Sequence, residues 1–161
     1  MSNVTNVVFA GLGGQGVLKA SDILAEAAFL AGLDVKKSEI HGMSQRGGSV
    51  TSDVRFGGEV LSPMVPQGET DFLVVLEPTQ VEPNRHMLSS RGVLVEPGAI
   101  DESKLPNRKC LNVAILGVLC RRMESSAVAL EYWHAAIRDA FDPKFLDANL
   151  QAFEYGRSIV A

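Results

Sequence analysis

The residues best suited to chemistry lie in two glycine-rich stretches. The first, Gly11-Leu12-Gly13-Gly14-Gln15-Gly16, follows the apolar run Asn6–Ala10 (NVVFA) and opens an amphipathic segment. Glycines at Gly11, Gly13 and Gly16 let the backbone turn tightly and approach a phosphate closely, while the free N–H groups of a helix start favour negative charge. The strand–turn–helix setting that this spacing requires is present. The acidic residue that reads a ribose about twenty positions later is not in its expected setting; Lys36, Lys37 and Glu39 stand there instead. The two lysines suit a 2′-phosphate, or are simply solvated. The pattern therefore admits a nucleotide cradle or a glycine turn used for close helix–strand packing, and the residues leave both open.

The second stretch is His41-Gly42-Met43-Ser44-Gln45-Arg46-Gly47-Gly48. Ser44 offers a hydroxyl, Gln45 an amide and Arg46 a planar two-pronged donor, while Gly47 and Gly48 expose backbone N–H groups. Such a set can hold a phosphate, a carboxylate or the backbone of a partner chain. It can equally be a loop folded around its own Arg46. No catalytic set accompanies it. The histidines His41, His86 and His134 lack metal-ligand spacing, no G-x-S-x-G elbow occurs, and Glu39 with His41 is set aside as an acid–base pair. No catalytic and no metal-binding residue is expected.

The elements that must position these loops follow from periodicity. Asn6–Ala10 reads as a buried strand. Val17, Ala20, Leu24, Ala27, Ala28 and Ala31 recur at helical spacing, and Gly32 stands where such a helix would end. A weaker strand is expected over 33–36, and an ordered loop over 39–49. Val50–Ser62 reads as a hairpin turning at Gly57-Gly58, closed by Pro63 and Pro66. Strands follow at 71–76 and 92–96, with a helix interrupted by Pro83 between them. Three helices are expected over 112–123, 127–141 and from Pro143 to about Gly156. The fold class is α/β: a layered single domain with a mixed, mainly parallel sheet, a Rossmann-like start and a helical C-terminal third.

Composition narrows the function classes. A chain of 161 residues, 46% hydrophobic and 21% charged, can bury one ordinary core. Its net charge of −4 argues against a nucleic-acid partner. Two cysteines, Cys110 and Cys120, read as reduced buried thiols. An iron–sulfur cluster takes about four thiolates, so any cluster must sit on another chain. No run approaches the roughly twenty apolar residues of a membrane span, and the N-terminus lacks a signal-peptide pattern. A cytoplasmic protein with no membrane contact is expected.

Taken together, FAGLGGQGVLKASDILAEAA, SEIHGMSQRGGSVTSDVRFG, LSPMVPQGETDFLVVLEP and the later NVAILG and NLQAFEYGR resemble the gamma subunit, or gamma domain, of 2-oxoacid:ferredoxin oxidoreductases. The HGMSQRGG form is most similar to the small subunit of the indolepyruvate-type enzymes. The resemblance spans nearly the whole chain and implies one gamma-type catalytic domain over residues 1–161. It implies decarboxylation of a 2-oxoacid on thiamine diphosphate, electron transfer through [4Fe–4S] clusters to ferredoxin, and release of an acyl-CoA. Thiamine diphosphate and clusters would belong to a large partner subunit, so that this chain binds no cofactor firmly and is inactive alone. Coenzyme A would be shared with the partner. Gly13–Gly16 and Ser44–Gly48 would lie near coenzyme A or near the subunit interface. The alternatives are a stand-alone dinucleotide-binding module and a non-enzymatic scaffold that has lost the complex.

Overall fold

The computed structural model describes residues 3–42, 48–124 and 126–159. In chain order the elements are β1 (Thr5–Leu12), α1 (Val17–Leu30), β2 (Asp34–His41), β3 (Ser49–Gly57), β4 (Thr70–Val75), the single turn α2 (Val81–Asn84), β5 (Leu88–Val95), α3 (Leu111–Arg122), α4 (Leu130–Ala140) and α5 (Pro143–Ser158). The five strands form one sheet in the order β2-β3-β1-β4-β5. β3 runs antiparallel to both β1 and β2, while β4 is parallel to β1 and to β5. Four of the five strands thus point the same way and β3 opposes them, which is the mixed sheet expected.

Alternation along each strand separates two faces. Val7, Phe9, Val54, Phe56 and Val74 face the helices and join the larger core cluster. Val8, Ala10, Leu73 and Val75 face the other way and meet Val65 and Val81. α3 is buried from Asn112 to Cys120. Side chains such as Ile115, Leu116 and Leu119, with no exposed surface, stabilise by about 1.5–3 kcal/mol each. α4 buries Trp133, Ala136 and Ile137.

α1 matches its expected span and stops where Gly32 takes a left-handed φ of 86°. The N–H of Gly32 donates to Phe29 and that of Leu33 to Ala28. Those two bonds close the orphan carbonyls of the last turn in the way that favours glycine at this position.

Three expectations are corrected. The hairpin is not Val50–Ser62. Ser49–Gly57 is one strand, paired on both sides, and its hairpin partner is β2. Gly57 and Gly58 have no positive φ, so they do not make the tight turn that the pair suggested. Gly57 is small because a Cβ there would overlap the Asn3 carbonyl. Second, Glu39–His41 complete β2 rather than beginning a loop. Third, the helix expected after Pro78 is broken into short turns around α2, and β5 begins at Leu88, earlier than Gly92. Pro83 removes a donor that a longer helix would need.

Candidate functional site

The glycine turn between β1 and α1 is built from the inside. Gln15 Oε1 accepts from the Leu12 N–H at 2.7 Å, and its Nε2 donates to Glu77 Oε1 at 3.0 Å. The Gln15 amide is therefore occupied in holding the turn against the end of β4. Gly11 lies where a Cβ would come within 2.7 Å of Val17 Cγ2, which is the close strand–helix approach that glycine permits. Gly14 and Gly16 adopt φ of 91° and 80°. A Cβ on Gly16 would also overlap the Asn112 amide. Asn112 Nδ2 donates to the Gly16 carbonyl at 3.2 Å, so α3 is tied directly to the start of α1.

The two glycine-rich stretches meet. The Gly13 N–H donates to the Gly48 carbonyl at 2.9 Å, and Gly42 N–H donates to Ser49 at 2.6 Å, closing the base of the β2–β3 connection. Gly11, Gly13, Gly14, Gln15, Gly16 and Gly48 thus belong to one locality, with His41 at its edge. Ser44, Gln45, Arg46 and Gly47 lie outside the described residues.

A cleft opens on each side of the α1 start. One, of about 350 Å³, runs between Gly13, Val17, Lys19, His41 and Val50. The other, of about 400 Å³, is lined by Gly14, Gly16, Arg108, Lys109 and Asn112. The N–H groups of Gly14, Gly16, Val17 and Leu18 donate to no protein group among the described residues. They add the positive end of the helix dipole to the two exposed cations. Asn107 Oδ1 accepts from the Lys109 N–H at 2.9 Å and shapes the turn that carries those cations. The donor set fits a phosphate-bearing ligand.

Sequence reasoning missed Arg108, Lys109, Asn112 and Glu77 as parts of this locality. Local sequence holds one signal, the basic pair Arg108-Lys109 directly before a buried helix. Nothing local says that this pair returns to the glycine turn.

Residues 6–106 match the family described as pyruvate ferredoxin/flavodoxin oxidoreductase. The chain belongs to that family. Among relatives, the indolepyruvate oxidoreductase subunit IorB of Thermococcus kodakarensis is 33% identical, over 94% of this chain and 93% of its own length. The common gamma subunit of the pyruvate/ketoisovalerate oxidoreductases of Pyrococcus furiosus is 29% identical, over 91% of each chain. The pyruvate oxidoreductase subunit PORC of Thermotoga maritima matches with a TM-score of 0.81 and 25% identity, over 98% of this chain and 97% of that one. A 2-oxoglutarate:ferredoxin oxidoreductase from Magnetococcus marinus, solved with 2-oxoglutarate, coenzyme A and succinyl-CoA bound, shares the fold at a TM-score of 0.84 and 20% identity. There the match takes 99% of this chain but 31% of the longer one.

Within this ferredoxin/flavodoxin oxidoreductase fold, the dinucleotide reading of the glycine turn loses its geometry. β3 lies between β1 and β2. The end of β2, where a dinucleotide fold reads the ribose, is two strand spacings from β1, roughly 10 Å. Lys36 is paired with Asp34, and Lys37 with Asp22 and Glu39, so neither lysine is held ready for a 2′-phosphate. Glu39 and His41 do share a side of β2, being two residues apart, but the ion pair recorded for Glu39 is with Lys37. The cysteines are core residues. Burial pushes both thiols up, Cys120 to about 11, and protonated buried thiols are poor metal ligands.

Proposed function

We propose that this chain is the small, cluster-free subunit of a 2-oxoacid:ferredoxin oxidoreductase. Residues 1–161 act as one gamma-type domain beside a large cytoplasmic subunit that carries thiamine diphosphate and [4Fe–4S] clusters. The observation that carries the reading is the end-to-end match to subunits of such enzymes, 93% of the relative's length included. With two cysteines, this chain cannot house a four-thiolate cluster. Over matches that span more than nine-tenths of the chain, the identity to the indolepyruvate subunit of Thermococcus kodakarensis, 33%, exceeds the 29% to the pyruvate/ketoisovalerate gamma subunit of Pyrococcus furiosus, which supports indolepyruvate or a related 2-oxoacid as substrate.

The cofactors on the partner supply the decarboxylation and the path for two electrons to ferredoxin; carbon dioxide and an acyl-CoA leave. This chain's own part is to position coenzyme A. The Gly14 and Gly16 N–H groups, the α1 dipole, Arg108 and Lys109 present donors to its phosphates. Gln15 and Asn112 keep the turn in the shape that exposes those donors. In the reconstituted complex, replacing both Arg108 and Lys109 by Ala is expected to raise the KM for coenzyme A about tenfold or more, as befits loss of about 1.4 kcal/mol or more of binding. The 2-oxoacid KM should stay unchanged. Arg46→Ala is expected to shift coenzyme A affinity or assembly. Steady-state kinetics with a viologen acceptor reads both; an unchanged KM for coenzyme A in the double variant refutes the phosphate role of the cleft.

A further inference from the structure

The sheet face opposite the helices has a thin cover, and that cover is pinned. The segment from Gly58 to Glu69 has no helix or strand. Four side chains hold it instead. Asp34 Oδ2 accepts from the Val60 N–H at 2.7 Å, and Asp53 Oδ2 from the Val65 N–H at 2.9 Å. Arg55 donates to the carbonyls of Ser62 and Met64 at 2.9 and 3.2 Å, and Asn6 to that of Glu69 at 2.9 Å. A segment fastened so often has a defined shape, yet it holds Leu61 at 86% and Met64 at 54% exposure, with Ile40 of β2 at 54% beside it. Large apolar side chains fixed toward solvent mark contact surfaces.

Between this strap and the α2 region lies a cavity of about 360 Å³, lined among others by Ile40, Thr51, Asp53, Met64, Asn84 and His86. Asp53 is 7% exposed. Its Oδ2 is used by Val65, whereas Oδ1 has no protein partner among the described residues. Arg55, two positions along the same strand and so on the same face, does not neutralise it with an ion pair. Its guanidinium is committed to Asn6 Oδ1 and to the strap carbonyls. Burial accordingly pushes the Asp53 carboxyl up, against the opposing pull of the Val65 bond and of Arg55. A buried carboxylate short of a counter-charge is costly unless something pairs with it.

We propose that this cavity is a docking pocket for a lysine or arginine side chain of the large partner subunit, the cation meeting Asp53 and its aliphatic stem lying against Ile40 and Met64. The inference rests on the subunit reading above. Charge argues for this occupant: the pocket holds a carboxylate with a free oxygen, in a chain of net charge −4. Shape argues likewise, since a long side chain with an apolar stem and a charged tip matches a cavity that offers Ile40 and Met64 on one part of its mixed lining and the Asp53 carboxylate on another. The pinned strap keeps the rim preorganised, which lowers the ordering cost of binding.

The test measures affinity of the full-length chain for its natural large subunit under anaerobic conditions, with thermal melts of each small-subunit variant. Asp53→Asn retains an oxygen that can accept from Val65 while removing the charge. Its dissociation constant is expected to rise at least tenfold with an unchanged or higher Tm. Met64→Lys, at the exposed rim, supplies a competing cation and is expected to weaken the complex similarly. If Asp53→Asn melts early, Met64→Lys decides the matter. Wild-type affinity in both variants overturns the proposal while leaving the subunit reading intact. A wild-type chain that fails to bind the large subunit overturns both. Loss of a homodimer in Met64→Lys, with large-subunit affinity unchanged, also overturns it by assigning the face to a second copy.

Discussion

Gly16 must be glycine on two counts, a φ of 80° and the Asn112 amide against its Cα. Gly16→Ala is therefore expected to lose about 1–3 kcal/mol, and a chain of this size loses roughly 2–4 °C of Tm per kcal/mol. A calorimetric melt that leaves Tm unchanged would refute the strain argument. Asp53 makes the opposite kind of prediction. Its carboxyl is raised by burial from an ordinary value of 3.8, so the native chain holds that proton to a higher pH than the unfolded chain does. Stability from this group is present below pH 3.8 and is lost as pH rises through the raised folded value. Asp53→Asn should then be the more stable protein near neutral pH, with the difference from wild type vanishing in acid. Denaturant titrations of both proteins across that range check the sign. At this scale glycine spacing was legible in the sequence, but the occupation of the Gln15 amide by Leu12 and Glu77 was not, because Glu77 is remote along the chain.

Among elements, the α3–α5 contact explains the glycines of two segments that carried the family resemblance. Gly117 of NVAILG and Gly156 of NLQAFEYGR face each other's helix: a Cβ on Gly117 would overlap the Phe153 carbonyl, and one on Gly156 the Ala114 carbonyl. Their place in the pattern is helix packing. An exposed helical glycine replaced by alanine normally gains about 1 kcal/mol. Gly156→Ala is expected to do the reverse and lose about 1–3 kcal/mol by overpacking, read as a fall in thermal midpoint. A gain would show that the helices do not approach so closely. Helices α1 and α4 were legible because apolar residues recur at helical spacing, α3 because the run 112–123 is apolar enough to be buried, and α5 from the Pro143 that opens it. The β2–β3 hairpin was not, because the polar β2 sequence DVKKSEIH carries no clean alternation and takes its partner from the sheet rather than from its own residues.

For the whole molecule, the helices cover one face of the sheet, while the other carries a strap, short turns and exposed apolar side chains. Such asymmetry suits a chain that completes a larger assembly. Among the described residues no helix is long and apolar enough to cross a membrane. Captured gently without oxygen, the chain is expected to bring a thiamine-containing, iron-rich partner, and the mixture to reduce a viologen with a 2-oxoacid and coenzyme A. The purified chain alone should not. Mass spectrometry and an iron assay of the captured material check this, and a chain that arrives alone removes the basis for the complex.

By itself the sequence determined the α/β class, the strand–glycine turn–helix start, the helical C-terminal third and the need to place any cluster elsewhere. Each of these follows from periodicity, glycine spacing or a count of thiols, all of which are local or additive. Only the tertiary structure decided that β3 separates β1 from β2, that Gly13 meets Gly48, and that Arg108 and Lys109 return to the start of α1. Those are meetings of residues far apart in the chain. Packing of the whole core selects them, and no window of sequence contains the partner that each residue finds.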